Sequence, residues 1–377
     1  YMRNFHYNET TSNLYVNDDL ISQTTTTINA GTKDFILGKE FDGYVKNFKF
    51  WNYAKSFLFT FSGKVVFHYG SFDNVYGDAD VNAAAAAGHV FDNTPAGTYP
   101  WGTITLPSTA SNQTTYTWTL SGTITVDVLM VAGGGGGGGH RAGGGGAGGL
   151  LQYTNQTISS GQKTIVVGNG GIGGTEWQNN GYMHGKKGYD TTFTGLTTAN
   201  GGGGARTHLG TTYGEPTGNS NGGSGGGGAQ DNQAGQDYIP GTGTAGPPRQ
   251  GYDGGYGYNT SGQISGGGGG AGGAGQNATN TKAGDGGIGL DKSSVFGTTY
   301  GDSGWFSSGG GGSSSGQGYG SASQGGGTGG TNDATNNGRA VNAQNHTGGG
   351  GGGGAYNGTS DIIGGSGGSG IVIVIAS

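Results

Sequence analysis

The histidines are the first side chains to test for chemistry, because the chain contains no cysteine. The seven histidines are far apart along the sequence, at positions 6, 68, 89, 140, 184, 208 and 346. None has the short spacing to a second ligand that zinc sites show. Matches to GxGxxG inside the glycine runs follow from composition, and they lack the strand, helix and acidic residue of a dinucleotide site. The sequence therefore predicts a non-enzymatic protein without an organic cofactor.

One acidic segment, FDNVYGDADVN, has side chains that suit a cation. Its candidate ligands are Asp73, Asp78, Asp80 and Asn82, which bring oxygen atoms together at alternate positions, as calcium loops do. The Glu that closes an EF-type loop is missing from this segment. Calcium is the metal that this segment suggests, and a solvated turn is the alternative interpretation.

Aromatic side chains in the segments between glycine runs form a second candidate site. Tyr and Trp on short loops provide a large contact area at low entropic cost, as recognition surfaces do. We expect these rings to contact a receptor at loop tips; the alternative is that they cap the ends of the glycine runs and bury their edges. The predicted contact residues are Trp177, Tyr182, Tyr189, Tyr213, Tyr238, Tyr252, Tyr256, Tyr258, Tyr300, Trp305 and Phe306.

Glycine dominates the composition, with 96 of 377 residues. Disordered chains are usually rich in charge and poor in aromatic residues, whereas this chain has 10% of each. Collagen is excluded because there are only 7 prolines and glycine does not recur at every third position. The 16 Lys and Arg residues are scattered, and the longest apolar runs have about five to six residues. We therefore expect neither nucleic-acid binding nor membrane insertion.

The glycine runs need a source of stability other than side chains. Ordering 96 glycines costs roughly 100 to 200 kcal/mol of backbone entropy. The compensation must come from backbone amides and carbonyls, which have to be paired when buried. In the polyproline II conformation these groups point outward, and the missing Cβ lets neighbouring helices approach closely enough to bond each other. The sequence predicts a packed lattice of such helices.

Apolar runs mark where this lattice begins and ends. The stretch from Thr123 to Gly149 is a strand that passes directly into polyglycine, and Gly364 to Gly370 passes back into the apolar run Ile371 to Ile375. We predict a glycine-rich domain at 123–377, preceded by a β-rich connecting region at 57–122 and part of a β-sandwich at 1–56. The predicted fold class is mainly β, with antiparallel, jelly-roll-like sandwich strands, a bundle of polyglycine or polyproline II helices, and almost no α-helix.

The first 56 residues resemble the C-terminal half of a laminin-G or concanavalin-like jelly roll. Leu14-Tyr15-Val16-Asn17 matches the hairpin motif, and Phe41-Asp42-Gly43-Tyr44-Val45-Lys46-Asn47-Phe48 leads to the closing strand. The resemblance implies further strands upstream of Tyr1 or on another chain. Because the sequence has no initiator Met, we expect a fragment or a processed product.

The remainder of the chain resembles the polyglycine sandwich of receptor-binding adhesins on bacteriophage tail fibres. TYTWTLSGTITVDVLMVAGGGG and GGSGGSGIVIVIAS carry this resemblance. They are also similar to the glycine-rich domain of many viral tail and surface-fibre proteins, and to the ectodomain of an animal receptor tyrosine kinase family. The resemblance implies a location on a virion surface or outside the cell.

Three functions are consistent with this sequence. An adhesin would bind a cell-surface receptor or glycan through its aromatic loops and join a fibre-shaft protein or further copies of itself. A structural subunit of a surface, capsid or extracellular filament would instead associate through its β edges and glycine faces. Ice binding by a flat face of glycine helices is the third hypothesis.

Overall fold

A computed structural model describes residues 2–7, 12–16, 19–24, 63–69, 72–76, 97–99, 102–104, 108–120, 122–174, 184–208, 219–230, 238–258, 263–332, 338–356 and 363–376. The chain divides into two compact units. The first comprises Tyr1–Thr60 with Val81–Val90, and the second comprises Phe61–Asp80 with Phe91–Ser377.

The first unit contains a three-stranded antiparallel sheet in the order β1-β2-β3. Its strands are β1 (Met2–Tyr7), β2 (Ser12–Val16) and β3 (Asp19–Thr24). Strands β2 and β3 are paired as the predicted hairpin, with Val16 opposite Asp19. The motif Phe41–Phe48 lies outside the described residues, so the laminin-G resemblance stays a prediction.

The second unit contains two larger antiparallel sheets. The five-stranded sheet has the order β11-β10-β16-β4-β5, and the other has the order β13-β12-β9-β7-β6, with β8 also paired to β9. A two-stranded sheet joins β14 to β15. The elements of this unit are β4 (Gly63–His68), β5 (Phe72–Tyr76), β6 (Gly97–Tyr99), β7 (Gly102–Ile104), β8 (Ser108–Thr109), β9 (Gln113–Leu120), β10 (Ile124–Val131), β11 (Leu150–Ile158), β12 (Gly161–Gly168), β13 (Thr192–Phe193), β14 (Leu290–Asp291), the helix α1 (Ser293–Phe296), β15 (Trp305–Phe306) and β16 (Ile371–Ala376).

These elements confirm the predicted mainly β class with almost no helix. Both larger sheets take strands from before and after residue 122, and the predicted domain limits stay predictions. Within the described residues no helix is long and apolar enough to cross a membrane.

The strand that leaves for polyglycine and the strand that returns from it are direct neighbours. Strand β10 pairs with β16, with Val131 opposite Ile371, and on its other side it pairs with β11, with Val131 opposite Leu150. These three strands all adjoin glycine runs, so the sheet fixes the entry and exit of the glycine segments in one register.

The main core lies between the two larger sheets. Alternate residues of a strand point to opposite faces of a sheet, and β10 directs Val126, Val128 and Met130 into this core. From the other sheet β9 contributes Tyr116 and Trp118, which are 0% and 1% exposed. The alternating TYTWTL pattern of β9 therefore reflects a strand with one face buried in the core.

The second face of the five-stranded sheet is also buried. Leu129 and Val131 of β10 join Ile371 and Ile373 of β16 in a separate cluster with Phe296 and Phe306, which lie in the segment between residues 287 and 309. Because both faces are covered, β10 and β16 read as nearly continuous apolar runs.

Candidate functional site

The glycine runs form a laterally bonded array, called here the glycine lattice. It comprises residues 133–138, 143–149, 170–174, 185–189, 201–206, 222–228, 238–244, 251–257, 266–270, 274–278, 284–287, 309–313, 326–330, 348–354 and 364–370. Backbone hydrogen bonds join each run to other runs that are distant in sequence.

The amides of the first run, 133–138, donate to three neighbours in rotation. The first and fourth amides donate to 186–189, the second and fifth to 365–368, and the third and sixth to 143–146. The N to O distances are 2.8 to 3.3 Å. The partner therefore recurs at every third residue.

The carbonyls of the same run point to three further neighbours. They accept from 202–205, 171–174 and 351–354, again with a recurrence of three residues. Run 133–138 is thus surrounded by six segments, three that accept from it and three that donate to it. All six of its residues are buried, and every buried amide and carbonyl has a partner, as stability requires.

Close approach of the runs explains why these positions are glycine. A Cβ added to Gly137 would come within 3 Å of the backbone of Gly352, and one added to Gly145 would meet the backbone of Gly135 and Gly136 at less than 3 Å. Real Cβ atoms essentially never make such contacts. A side chain at either position would push two runs apart and break their hydrogen bonds.

Asp and Asn side chains pair several amides at the edge of the lattice. The side-chain oxygen of Asp190 accepts from the amide of Gly201 at 2.7 Å, and that of Asn342 accepts from the amide of Ser366 at 2.8 Å. Asn221, Asp253, Asn277 and Asp285 bond the amides of Thr242, Gly243, Tyr256 and Ser321 in the same way, at 2.7 to 2.9 Å. These side chains accept hydrogen bonds from backbone amides at the edge of the lattice, as N-cap side chains do at the first turn of an α-helix.

The predicted contact aromatics occupy different surroundings. Trp177, Tyr182 and Tyr213 lie outside the described residues. Tyr252 is covered by the guanidinium of Arg249 at 4.4 Å, and Tyr258 packs against a small cluster around Ile264. Trp305 is partly buried in β15.

Tyr300 and Phe306, from the last predicted group, belong to the cluster on the second face of the five-stranded sheet, called here the second core. Tyr300 is partly buried, 5.9 Å from the ring of His68 and 5.6 Å from the ammonium group of Lys64. Phe306 is fully buried, so its ring packs the protein interior and we leave it out of the proposed contact surface. The sequence from Tyr300 to Phe306 has no periodic pattern that distinguishes a buried ring from an exposed one.

Among the predicted aromatics that the structure describes, three are open to solvent. Tyr189, Tyr238 and Tyr256 are 40%, 38% and 48% exposed. The rings of Tyr238 and Tyr256, on the neighbouring runs 238–244 and 251–257, lie 6.2 Å apart. Tyr189 lies on another run, 185–189. The structure thus brings two of the eleven predicted residues to one exposed place.

The structure also brings together histidines that are distant in sequence. His140 and Arg141 turn the chain between the first two glycine runs, both with a left-handed backbone, at φ 54° and 55°. The ring of His140 lies 4.8 Å from that of Tyr356 and 6.3 Å from that of His208, and Arg141 lies 4.6 Å over Tyr356. Burial, together with smaller contributions from the charges of Arg141 and His208, lowers the pKa of His140 from 6.5 to about 4.

No feature of the sequence joins these residues, because only the return of the runs brings residue 208 beside residue 140. Among the described residues no group of three or more His, Cys, Asp or Glu side chains could hold a metal ion. Of the calcium candidates, Asp73 lies in β5, and Asp78, Asp80 and Asn82 lie outside the described residues. The calcium hypothesis stays a prediction.

The family of this chain follows from its comparison with known proteins. A search of curated proteins found no match to the chain. A comparison with protein families matches residues 109–377 to the glycine-rich domain. The matched segment includes β9, β10, every run of the lattice and the closing strand β16. Because the match covers most of the chain, this protein belongs to the glycine-rich domain family.

Proposed function

We propose that this chain is a non-enzymatic fibre or adhesin protein of a virion surface or the extracellular space, which binds a cell-surface receptor or glycan. The observation that carries the proposal is the exposure of Tyr189, Tyr238 and Tyr256 on segments that the lattice holds by backbone hydrogen bonds. Exposed tyrosines on fixed segments lose little conformational entropy when a ligand binds, which favours recognition.

The scaffold of this adhesin is proposed to consist of polyglycine II helices. Partners that recur at every third residue fit a helix of three residues per turn with backbone groups directed outward. Six neighbours per inner run give the lattice stiffness in every lateral direction. Such a scaffold suits a fibre head, because surface segments can vary while the interior stays the same.

Binding of the labelled full chain to intact cells tests the adhesin proposal. Flow cytometry on a panel of bacterial and unicellular eukaryotic cells is expected to show saturable binding to at least one type. The double variant Tyr189→Ala/Tyr256→Ala is expected to weaken that binding by at least about tenfold. Tyr319→Ala is the matched control, because Tyr319 is 41% exposed and was not predicted as a contact residue. Saturable binding to none of the cells would contradict the proposal.

A self-assembling structural subunit is the second candidate. The five-stranded sheet, as described, ends on β5 and β11, and edge strands offer backbone groups to a neighbouring chain. Sedimentation velocity separates the two candidates. Filaments that grow with protein concentration would support the structural subunit, and a discrete monomer or small oligomer at all concentrations would support the adhesin.

A further inference from the structure

Three neighbouring segments of the lattice form an open groove of about 560 Å³. Residues 253–257 lie in the middle and bond to 238–241 on one side, through the amides of Gly254 and Gly257 at 3.0 Å. On the other side they accept from the amides of Gly275 and Ala278 at 3.0 and 2.8 Å. The walls of the groove are therefore fixed by the lattice itself.

The recurrence of three residues decides which side chains face this groove. Asp253 and Tyr256 are three residues apart and exposed, whereas Gly254 and Gly255 between them are buried. The flanking segments repeat the spacing, with Ile239 and Thr242 on one wall and Ala274 and Asn277 on the other. Glycines form the floor of the groove, and its polar and aromatic lining consists of side chains at intervals of three residues together with Gln276, which precedes Asn277.

Two polar side chains of the groove are oriented by bonds to the lattice. Asp253 accepts the amide of Gly243 at its Oδ1, at 2.8 Å. Asn277 accepts the amide of Tyr256 at its Oδ1, at 2.9 Å. Within the described residues, Asp253 Oδ2, Asn277 Nδ2 and the side-chain amide of Gln276 make no hydrogen bond, so the groove offers both acceptors and donors to a ligand.

The aromatic component of the groove is a ring with an open face. Tyr256 is 48% exposed and lines the groove, and Tyr238 lies beside it at a tilt of 38°. Tyr252, in the same run as Tyr256, differs because the guanidinium of Arg249 lies over it. The ring of Tyr256 is thus available to an apolar surface of a ligand.

An apolar ring face beside a fixed carboxylate and two amides matches the surface of a sugar. A pyranose has one face of C–H groups, which packs on an aromatic ring, and an edge of hydroxyls that both donate and accept. The groove has the volume of a small-molecule site. Among the described residues that line the groove, Asp253 is the only charged one, and its negative charge disfavours phosphates, nucleotides and acidic sugars.

We propose that this groove binds a neutral saccharide unit of a surface glycan, with Tyr256 beneath the ring of the sugar and Asp253, Gln276 and Asn277 bonded to its hydroxyls. The proposal rests on the adhesin function proposed above and names the class of ligand.

Saturation-transfer NMR of the full chain tests the groove directly. The probes are the methyl glycosides of glucose, galactose, mannose and N-acetylglucosamine, with sialic acid and choline as charged comparisons. At least one neutral glycoside is expected to bind. Tyr256→Ala is expected to weaken that binding by about tenfold or more, because the stacking surface is lost.

Asp253→Asn isolates the contribution of the carboxylate. The variant keeps an oxygen for the amide of Gly243 and replaces the acceptor Oδ2 by a donor, so the fold is retained while sugar binding falls by about tenfold. Tyr319→Ala is expected to bind as the unchanged chain does. Binding that none of the groove variants weakens, or binding of choline or sialic acid alone, would overturn the proposal.

Cells treated with periodate separate this proposal from the adhesin function. Periodate cleaves vicinal diols of glycans, so binding of the chain to treated cells is expected to fall by about tenfold, the decrease expected for Tyr256→Ala. Undiminished binding would overturn the saccharide site and leave the adhesin function standing. Failure to bind any untreated cell, with glycosides still bound in the groove, would overturn the adhesin function alone.

Discussion

The β-sandwich and the glycine lattice are stabilised by different parts of the chain. In the sandwich, side chains from two sheets interlock, and Trp118 of β9 and Met130 of β10 are almost completely buried in one core. In the lattice, run 133–138 is equally buried but has no side chains. Its stability comes from backbone hydrogen bonds to six neighbouring segments.

This difference determines what each region tolerates. A hydrophobic core accepts other apolar side chains of similar volume, because dispersion and burial are not directional. The lattice accepts almost none in its interior, since an added Cβ meets backbone at less than 3 Å at positions such as Gly145. The surface of the lattice is free of that restriction, and side chains such as Asp253 and Tyr256 are placed there.

The largest expected effect comes from a side chain placed inside the lattice. Gly145→Leu would separate its run from the neighbouring runs and leave several backbone groups unpaired, at about 1 to 3 kcal/mol each. We expect a loss above about 5 kcal/mol, comparable to the whole stability of a domain. Thermal unfolding followed by circular dichroism measures it.

Gly122→Leu is the matched control for this change. A Cβ added to Gly122 meets no atom within 4 Å, so we expect a change below about 0.5 kcal/mol. Equal stability of the two variants would refute backbone packing as the basis of the lattice.

Truncation of a core side chain is the next largest effect. Trp118→Ala removes a ring that is 1% exposed and is expected to cost about 3 to 5 kcal/mol. Ala147→Gly, in the second glycine run, removes a fully buried methyl group and is expected to cost only about 1 to 2 kcal/mol. Urea unfolding compares the two, and an equal cost would mean that the lattice also depends on side-chain packing.

Acid is expected to weaken the end of the lattice at which His140 lies. Its folded pKa of about 4 is below the unfolded value of 6.5, so the unfolded chain binds the proton more readily. The contribution of neutral His140 to the free energy of unfolding is complete above pH 6.5 and falls as the pH decreases towards 4. The total loss is at most about 3 kcal/mol.

His140→Gln serves as the test of this pH dependence. The variant cannot be protonated and is expected to lose less stability than the unchanged chain between pH 6.5 and 4, by urea unfolding at a series of pH values. A difference in the opposite direction, or parallel curves for the two proteins, would contradict the predicted protonation of His140.

Much of the sandwich was predictable because its strands carry a period of two. Tyr116, Trp118 and Leu120 alternate with polar residues in β9, and the apolar run from Ile371 indicated the closing strand, although its pairing with β10 was not predicted. The order of the glycine runs was not predictable, because successive glycines are identical and contain no information about register. Run 133–138 bonds to 365–368 from the other end of the domain, and only the three-dimensional lattice shows this.

The residue types of the candidate site could be predicted from the sequence, but which of these residues would be exposed and lie together could not. Aromatic residues between glycine runs included Tyr256, which is exposed, and Phe306, which is buried in the second core. The spacing of three between Asp253 and Tyr256 was the available signal, because residues at that interval would share one face of the proposed helix of three residues per turn. The joining of His140 to His208 had no comparable signal, since it depends on which runs are neighbours.

The smallest expected effect lies at the edge of the lattice, where side chains and backbone meet. Asp190→Ala would remove the oxygen that accepts from the amide of Gly201 at 2.7 Å. Because Asp190 is exposed and water can replace it in part, we expect a loss of about 1 kcal/mol. Asp190→Asn keeps an acceptor oxygen and should stay within about 0.5 kcal/mol of the unchanged chain. Hydrogen exchange at the amide of Gly201 gives a local readout, expected to be faster in the Ala variant alone. Equal exchange in both variants would mean that the lattice satisfies its edge amides without Asp and Asn side chains, so that its stability would rest on run-to-run hydrogen bonds alone.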